Sequence, residues 1–487
     1  MNYMKTLWNL YCLKSNVKRD KEEIKVLQDQ KLRKLLHHAW EHSAYYRKTF
    51  ERAGIREKDL DTLPLSCFPT IDKKTLLEYF NELVTVPDLT QEGIRAFDED
   101  GPIDRKPYLG KYHVVHSSGS TGKPGYFVYD EAAWSDMLLG IIRAALWDMS
   151  MGEIVKLLLQ KPRIVYIAAT DGRYGGAMAV GDGIDGVGAS RLYLDINDPL
   201  EKWTQKLWEF KPNIVIGYPS AIKILGELIE KGKVGLDIKR VISCGEPLGA
   251  SLRRYMETIF QCEVINIYAA SESLCLGVET HTSDGMLLFD DMNVIEVENK
   301  KMYLTSLYNF AQPLIRYEIT DNLTLREAPE NEKYPFSLAT GLRGRNEDIL
   351  WFKDGTGRQE FLHPLAIEGF CIEGLKDYQF SQVSKDAFEM EAEIASPELK
   401  EPIKKEMLSQ MRKILNEKRL SYVQFYVNFV DEIKADPRTG KNSWWLADVR
   451  KGRNNEPGII KRNAYYQTLW TRGERKYCFR RCVCGYL

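Results

Sequence analysis

The pattern of apolar and polar positions predicts that the chain begins with helices. Between residues 20 and 55, apolar residues such as Ile24, Leu32 and Trp40 recur at helical spacing. This spacing places their side chains on one face of a helix. The pattern ends near Gly54, and glycine is a common helix terminator. We therefore expect a helical segment ahead of the main domain.

The pattern changes after residue 110. KYHVVH and YFVYD are typical of strands, and the turn-rich stretch SSGSTGKPG lies between them. Residues 131–149 have the two faces of an amphipathic helix. From residue 200 to 272, helix-like segments alternate with the apolar runs NIVIG, KRVIS and EVINIY. That alternation predicts βαβ units and a mainly parallel sheet.

Each of these three runs ends in small or polar residues, at Gly217, Ser243 and Tyr268 respectively. Ligands of open α/β sheets bind outside the carboxyl ends of the strands. We therefore expect three loops to line one crevice.

The rest of the chain is predicted to be richer in strands. Residues 285–345 show short strands with turns, and residues 346–450 combine strand-like pieces with a helix near 398–418. The predicted fold class is α/β, with a large N-terminal domain of mainly parallel sheets and helices, a β-rich subdomain and a small α+β C-terminal domain. The predicted divisions are 1–110, 111–345, 346–450 and 451–487.

Composition excludes several classes of protein. The chain has 487 residues, 44% of them hydrophobic and 28% charged, as in ordinary globular proteins. A net charge of −1 gives no global attraction to nucleic acid or membranes. The nine cysteines are scattered and odd in number, which favours free thiols in the cytoplasm. We find no signal peptide and no apolar run of membrane-spanning length.

The final segment, 451–487, is a basic tail with interspersed aromatic residues. Such a tail can bind the phosphates of a cofactor, a carrier protein or RNA. More often it is a solvated face whose aromatic residues pack on the protein, and we favour that interpretation. We therefore expect that the protein binds neither nucleic acid nor a membrane.

The loop between the first two predicted strands carries candidate chemistry: Ser117, Ser118, Gly119, Ser120, Thr121, Gly122 and Lys123. Small residues let the backbone wrap an anion, hydroxyls donate to phosphate oxygens, and the lysine adds a positive charge. The loop is not a Walker A motif, because only two residues separate its glycines. It predicts a nucleotide-phosphate site; the alternative is an ordinary surface hairpin.

Four further stretches follow this loop in order: IYAASE at Ile267–Glu272, RYEITD at Arg316–Asp321, GRNED at Gly344–Asp348 and TGK at Thr439–Lys441. Together with the loop they resemble the motifs of the adenylate-forming superfamily, which includes acyl-CoA synthetases, peptide-synthetase adenylation domains and luciferases. Because the motifs occur in the right order, the resemblance is far more specific than any one motif.

Within that superfamily the chain most resembles the phenylacetate–CoA ligase branch, whose relatives include ligases associated with capsule biosynthesis. The matching stretches are His42–Phe50, Leu63–Lys74, Gly217–Ser220, Ser243–Leu248 and Asp448–Arg450.

The resemblance implies that the protein uses ATP and Mg²⁺ to activate a carboxylic acid as acyl-AMP. It further implies transfer of the acyl group to a thiol, for which we expect CoA. It also implies that the small C-terminal domain is mobile, turning near Glu347. Two alternatives stay open: acyl transfer to an amine or a carrier protein, and a catalytically weakened homologue that binds nucleotide or acyl-adenylate. The second is motivated by Ala269 and Thr320, which replace glycines of the motifs. The acid and the oligomeric state are not predicted.

The resemblance assigns a role to each motif residue. Lys441 is the catalytic lysine that bridges the carboxylate and the α-phosphate, and Glu272 is the catalytic Mg²⁺ ligand. Tyr268 would face adenine, Asp321 would accept from the ribose hydroxyls, and Arg345 would contact ribose or phosphate. Gly245, Glu246 and Ser271 complete the nucleotide set. Each of these residues also has an ordinary explanation, as a cap, a turn or a surface ion pair.

The predicted acyl pocket contains Tyr174, Gly175, Gly217, Tyr218, Ser220 and Ala269. The glycines would make room, and the aromatic rings would form an apolar wall. A zinc site built from Cys244, Cys262, Cys275 and His281 is a weak alternative, because no CxxC pair supports it.

Overall fold

The computed structural model describes residues 3–100, 107–117, 124–169, 175–185, 189–246, 248–299, 301–319, 321, 323–326, 333–340, 350–354, 356–362, 372, 374–384, 386–394, 396–431 and 445–446. The chain divides into two compact units, Met1–Ala447 and Asp448–Leu487. The second unit, which contains the predicted basic tail, lies outside the described residues. The domain divisions expected from the sequence stay predictions.

The α-helices are α1 (Tyr3–Ser15), α2 (Lys21–His42), α3 (Ala44–Arg52), α4 (Lys73–Glu78), α5 (Phe80–Leu83), α6 (Gln91–Asp100), α7 (Glu131–Ala145), α8 (Met151–Leu159), α9 (Gly175–Asp185), α10 (Leu200–Phe210), α11 (Pro219–Glu230), α12 (Ala250–Phe260) and α13 (Lys400–Glu417). Short 3-10 helices span Asn16–Lys18, Glu57–Asp59, Leu65–Cys67 and Pro397–Leu399.

The predicted helical start is confirmed, and it consists of separate helices. Helix α2 begins with a capping box between Asp20 and Glu23 and buries the apolar stripe that predicted it. Ser43 separates this helix from the next. Its extended backbone ends α2. Its side chain accepts a hydrogen bond from the backbone N–H of Tyr46 and thereby caps α3.

Helix α7 ends four residues before the predicted end at 149. Leu146 leaves the helical conformation (φ −116°, ψ +30°), and the ammonium group of Lys14 donates hydrogen bonds to the carbonyl oxygens of Leu146 (2.7 Å) and Trp147 (3.2 Å). Carbonyls at the end of a helix need such donors.

The strands are β1 (Tyr112–His116), β2 (Tyr126–Asp130), β3 (Arg163–Ala168), β4 (Ser190–Asp195), β5 (Ile214–Gly217), β6 (Arg240–Cys244), β7 (Val264–Ala270), β8 (Ser273–Glu279), β9 (Met286–Leu288), β10 (Asn293–Glu298), β11 (Lys301–Ser306), β12 (Tyr317–Ile319), β13 (Thr324–Arg326), β14 (Leu338–Thr340), β15 (Leu350–Lys353), β16 (Gln359–Leu362), β17 (Leu375–Gln382), β18 (Ala387–Ile394), β19 (Gln424–Val430) and β20 (Trp445–Leu446).

The main sheet contains nine of the described strands, in the order β13-β14-β9-β8-β7-β6-β5-β3-β4. Strands β4, β3, β5, β6 and β7 are parallel, and the strands beyond β7 pair in antiparallel fashion. The predicted parallel sheet is therefore confirmed. Its carboxyl edge carries the loops after β5, β6 and β7, as the three apolar runs predicted.

The β-rich part is confirmed as well. Strands β1 and β2 form the hairpin that brackets the serine- and glycine-rich loop, and β10, β11 and β12 form a three-stranded antiparallel sheet. Towards the C-terminus, β19, β18, β17 and β20 form a separate sheet, and α13 packs on it around a core of its own. This α+β arrangement agrees with the predicted C-terminal fold. Within the described part of the chain, no helix is both long and apolar enough to cross a membrane.

Candidate active site

The candidate site is built around the end of β7. Tyr268 is buried there, and the pairing of β7 with β8 shifts register between Tyr268 and Ala270. Ala269 lies at that irregularity and is partly exposed. The chain then turns through Ser271 and Glu272 into β8. A register shift re-aims the side chains of a strand, and such shifts are common beside functional sites.

Tyr268 connects this turn to the motif that follows β12. Its hydroxyl donates a hydrogen bond of 2.9 Å to Oδ2 of Asp321. Burial and the neighbouring Asp321 carboxylate hold the pKa of Tyr268 well above its usual value, so the phenol stays a donor. The structure thus brings together two of the predicted nucleotide-binding residues, and it fixes the carboxylate of Asp321.

Glu272 lies in a poorly solvated position. Loss of contact with water, together with the smaller effect of the Asp321 charge, raises the pKa of its carboxyl group to about 7. Two carboxylates at one place repel each other, and a divalent cation relieves that repulsion. Carboxylate oxygens are also the protein ligands that Mg²⁺ prefers. The residues present therefore fit the predicted metal ligand, and Glu272 would hold the ion or its waters.

The base of the predicted phosphate loop lies against the same turn. Ser117 and Gly125 close the loop, because the N–H of Ser117 donates to the carbonyl of Gly125 (2.9 Å) and the Ser117 hydroxyl accepts from the N–H of Gly125 (2.9 Å). The hydroxyl of Tyr129 in β2 donates to the carbonyl oxygens of Ser271 (3.1 Å) and Glu272 (3.0 Å). The hairpin and the Glu272 turn are thereby held together.

The loops after β5 and β6 contact each other. The backbone N–H and hydroxyl of Ser220 donate to the two carboxylate oxygens of Glu246, at 3.0 and 2.8 Å. The ring of Tyr218 lies on Gly245, where a Cβ atom would stand 2.6 Å from Cε1 of the ring. Gly245 also has a φ of +82°, which glycine adopts easily. The packing of the loop after β5 against the loop after β6 thus accounts for a glycine at position 245 and a glutamate at position 246.

Gly217 has a structural reason to be glycine. A Cβ atom there would lie 2.2 Å from the carbonyl oxygen of Ile167 on β3. Gly175 begins α9. The roles of these glycines in an acyl pocket stay predictions.

One residue near the site received no role from the sequence. Ile71 pairs with Tyr317 as an isolated parallel bridge, and this places α4 beside β12. Lys73, the first residue of α4, is close enough for its charge to lower the pKa of Glu272. In the sequence, Lys73 is only part of a stretch that resembles the ligase branch. Its effect on Glu272 becomes visible once the bridge between Ile71 and Tyr317 places α4 beside β12.

Several predicted residues lie outside the described part of the chain. They are Ser118, Gly119, Ser120, Thr121, Gly122, Lys123, Tyr174, Thr320, Arg345 and Lys441. Their roles stay predictions.

The residues of the weak zinc alternative have other contacts. His281 lies 3.1 Å from Glu263, and Cys275 is buried beside Tyr308. Among the described residues, no group of three or more His, Cys, Asp or Glu side chains is placed to hold a metal ion.

The chain is similar to known ligases over most of its length. It is 26% identical over 358 residues to phenylacetate–coenzyme A ligase of Aromatoleum evansii. The aligned region covers 68% of this chain and 73% of that protein. It is 25% identical over 353 residues to phenylacetate–coenzyme A ligase of Escherichia coli K12, covering 68% and 72%. No protein-family profile matches the chain.

The fold has solved counterparts. The structure of 2-hydroxyisobutyryl-CoA ligase in complex with 2-HIB-AMP and CoA superposes with a TM-score of 0.57 and 20% identity, covering 94% of each chain. The chain therefore shares its fold with this CoA ligase. The sequence similarity to phenylacetate–coenzyme A ligases confirms the predicted resemblance to that branch of the adenylate-forming superfamily.

Proposed function

We propose that the protein is an AMP-forming acid–thiol ligase, which activates a carboxylic acid as acyl-AMP with ATP and Mg²⁺ and transfers the acyl group to CoA. The observation that carries the proposal is the hydrogen bond between Tyr268 and Asp321 beside the poorly solvated carboxyl of Glu272. This arrangement supplies a fixed acceptor for ribose hydroxyls and an oxygen ligand for a metal ion. The names of the similar proteins support the same reaction.

The first half-reaction brings two anions together, because a carboxylate must attack the α-phosphate of ATP. Two charges about 4 Å apart interact by roughly 4 kcal/mol at an effective dielectric constant of 20. The site must therefore supply positive charge without blocking the line of attack. Glu272 would hold a Mg²⁺ ion that supplies part of that charge, and we assign the remainder to Lys123 and Lys441.

The second half-reaction needs an acceptor. We favour the thiol of CoA, because the two similar proteins described above are coenzyme A ligases by name. The exposed free thiols of Cys12 and Cys67 fit a reducing compartment, and we place the reaction in the cytoplasm.

The test is exchange of labelled pyrophosphate into ATP with Mg²⁺ and a panel of aromatic, branched and straight-chain acids. We expect exchange that depends on one class of acid and falls at least a hundredfold in Glu272→Gln. Glu263→Gln is the matched control, because Glu263 is a surface residue paired with His281. Absence of exchange with every acid, together with ATP binding by calorimetry, would instead identify a catalytically weakened nucleotide-binding homologue.

A further inference from the structure

We infer that Tyr166 closes the inner end of the predicted acyl site, so that the protein accepts short acids and excludes long ones. Tyr166 lies in the middle of β3 and is buried. The sequence gives no indication of this role. The inference rests on the proposed function, because it names the residue that limits the size of the acid activated at the same site.

The register of the parallel strands places the side chains of one face in rows across the sheet. Tyr166 on β3 is paired with Ile216 on β5, and Ile216 is paired with Ile242 on β6. Ile164 and Ile214 are paired in the same way, two residues earlier on their strands. Alternate residues of a strand point to the same face. The row of Tyr166 therefore lies one step closer to the carboxyl edge than the row of Ile164.

An apolar cavity of about 120 Å³ lies at the amino ends of these strands, between the sheet and helices α1, α7, α8 and α9. Ile164 and Ile216 line it from the sheet, and Val180 lines it from α9. Ile216 and Val180 also pack in one cluster with Tyr166, and the same cluster contains Tyr218 of the predicted acyl site. The cluster therefore borders the cavity on one side and the predicted acyl site on the other.

Tyr166 spans the space between the sheet and α9. Its hydroxyl lies against the first turn of the helix, because a Cβ atom on Gly176 would stand 2.4 Å from that oxygen. A glycine at this position lets the ring reach the helix. Ala179 and Val180, one turn further along α9, line the cavity. The ring thus separates the cavity from the carboxyl edge of the sheet.

The position of the ring sets a length for the acid. The next residue on this face of β3 is Ala168, which carries only a methyl group. Tyr166 is therefore the first large side chain of β3 that an acyl chain entering from the carboxyl edge would meet. Two residues of a strand advance about 7 Å, which is on the order of five carbon–carbon bonds. An acid of about six carbons fits within that length.

The first experiment uses the unmodified full-length protein. Pyrophosphate exchange is measured with straight-chain acids from acetate to dodecanoate. We expect kcat/KM to be greatest at or below about six carbons. It should fall about tenfold or more between hexanoate and decanoate, because a close-packed barrier does not yield to extra methylene groups. A kcat/KM for decanoate that equals or exceeds the value for hexanoate would overturn the inference.

The second experiment compares Tyr166→Ala with Tyr193→Ala. Tyr193 is the partner of Tyr166 on β4, and the centroids of the two rings are 6.1 Å apart. It is a matched control, because β4 lies on the side of β3 away from β5 and β6.

The substitution Tyr166→Ala removes the ring and joins the predicted acyl site to the cavity. We expect the ratio of decanoate to butanoate kcat/KM to rise about fourfold for each methylene group that enters the cavity, and about tenfold or more in total. Tyr193→Ala should keep the ratio of the unmodified protein. Equal ratios in the two variants would contradict the inference.

Two further variants keep the test independent of folding. Tyr166→Leu retains an apolar side chain that is too short to reach α9, and it replaces Tyr166→Ala if thermal unfolding shows that the alanine variant does not fold. Tyr166→Phe retains the ring and should keep the ratio of the unmodified protein. A ratio raised as much by Tyr166→Phe as by Tyr166→Leu would show that the ring is not the barrier.

Failure of this inference is distinguishable from failure of the proposed function. Exchange with decanoate as good as with hexanoate in the unmodified protein would keep the function and reject the barrier. If no acid supports exchange, decanoate binding is measured by calorimetry without ATP. Binding by Tyr166→Ala that the unmodified protein and Tyr193→Ala lack would keep the barrier and reject the ligase. Equal binding by all three proteins, or binding by none, would reject both.

Discussion

The hydroxyl of Tyr268 donates a 2.9 Å hydrogen bond to Oδ2 of Asp321, and this bond joins the end of β7 to the residue that follows β12. Asp321 is thereby held in one orientation before any nucleotide binds. The proposed function requires that orientation, because ribose hydroxyls need a fixed acceptor.

We expect Tyr268→Phe to raise the KM for ATP about tenfold, since a hydrogen bond to a charged group contributes about 1.5 kcal/mol. The kcat should change little, because Asp321 binds the nucleotide away from the reacting atoms. Steady-state kinetics at saturating acid would measure both constants. Tyr255→Phe is the control, because it removes a similar 3.0 Å bond to Glu230. Equal effects of the two substitutions would contradict the role of Asp321.

The Glu272 carboxyl group should make the protein less stable as pH rises. Its pKa is about 7 in the folded protein and 4.5 as a free group. The folded state therefore binds more protons than the unfolded state between these values, and stability is lost as pH rises through that window.

Glu272→Gln removes the charge, so we expect it to raise the melting temperature at pH 8 and leave it nearly unchanged at pH 4.5. Thermal unfolding without Mg²⁺ at the two pH values would measure this. Addition of Mg²⁺ at pH 8 should stabilise the unmodified protein and not the variant. Destabilisation by the substitution at pH 8 would show that the carboxylate is satisfied by protein groups instead.

Lys73 tunes the same carboxyl group. Its positive charge lowers the pKa of Glu272, so Lys73→Met should shift the acidic limb of the pH–activity profile upward. The shift should be small, because Lys73 has the weakest of the effects that set this pKa. Lys74→Met is the control, because Lys74 is the exposed neighbour on the same helix. A profile identical in both variants would exclude Lys73 from the site.

The sequence predicted the main sheet correctly for a physical reason. The helical and strand patterns between residues 200 and 272 are local, and a parallel sheet places the ends of successive strands on one edge. The place of Lys73 could not be predicted in this way, because it depends on the pairing of Ile71 with Tyr317, which are far apart in the chain.

Two further features were also beyond the sequence. The register shift at Ala269 depends on how β7 pairs with β8. An apolar cavity lined by Leu10, Ile142 and Leu157 depends on how α1, α7 and α8 pack together, and no motif indicates the space left between helices.

A buried ion pair joins α7 to the turn between β9 and β10, and a residue of the N-terminal region contacts it. Both Arg143 and Asp291 are fully buried, with guanidinium–carboxylate distances of 2.6 and 2.9 Å, and Asn16 also donates to Asp291. Asp291→Asn would leave the arginine charge buried without its partner, so we expect a loss of about 3 kcal/mol in unfolding free energy. Denaturant unfolding would measure it.

The control for this loss is Glu99→Gln, which breaks the exposed pair with Arg95. That change should cost less than about 1 kcal/mol. A similarly small cost for Asp291→Asn would show that the buried pair contributes little to the fold.

The most direct test of the central claim is to identify the products of a single turnover. The protein is mixed with ATP, Mg²⁺ and the acid that best supports exchange, first without CoA and then with it, and the mixtures are analysed by mass spectrometry. We predict acyl-AMP and pyrophosphate in the first mixture, and acyl-CoA and AMP after CoA is added. Formation of ADP and phosphate would contradict the proposed reaction. Release of pyrophosphate without any acyl-AMP would contradict it as well.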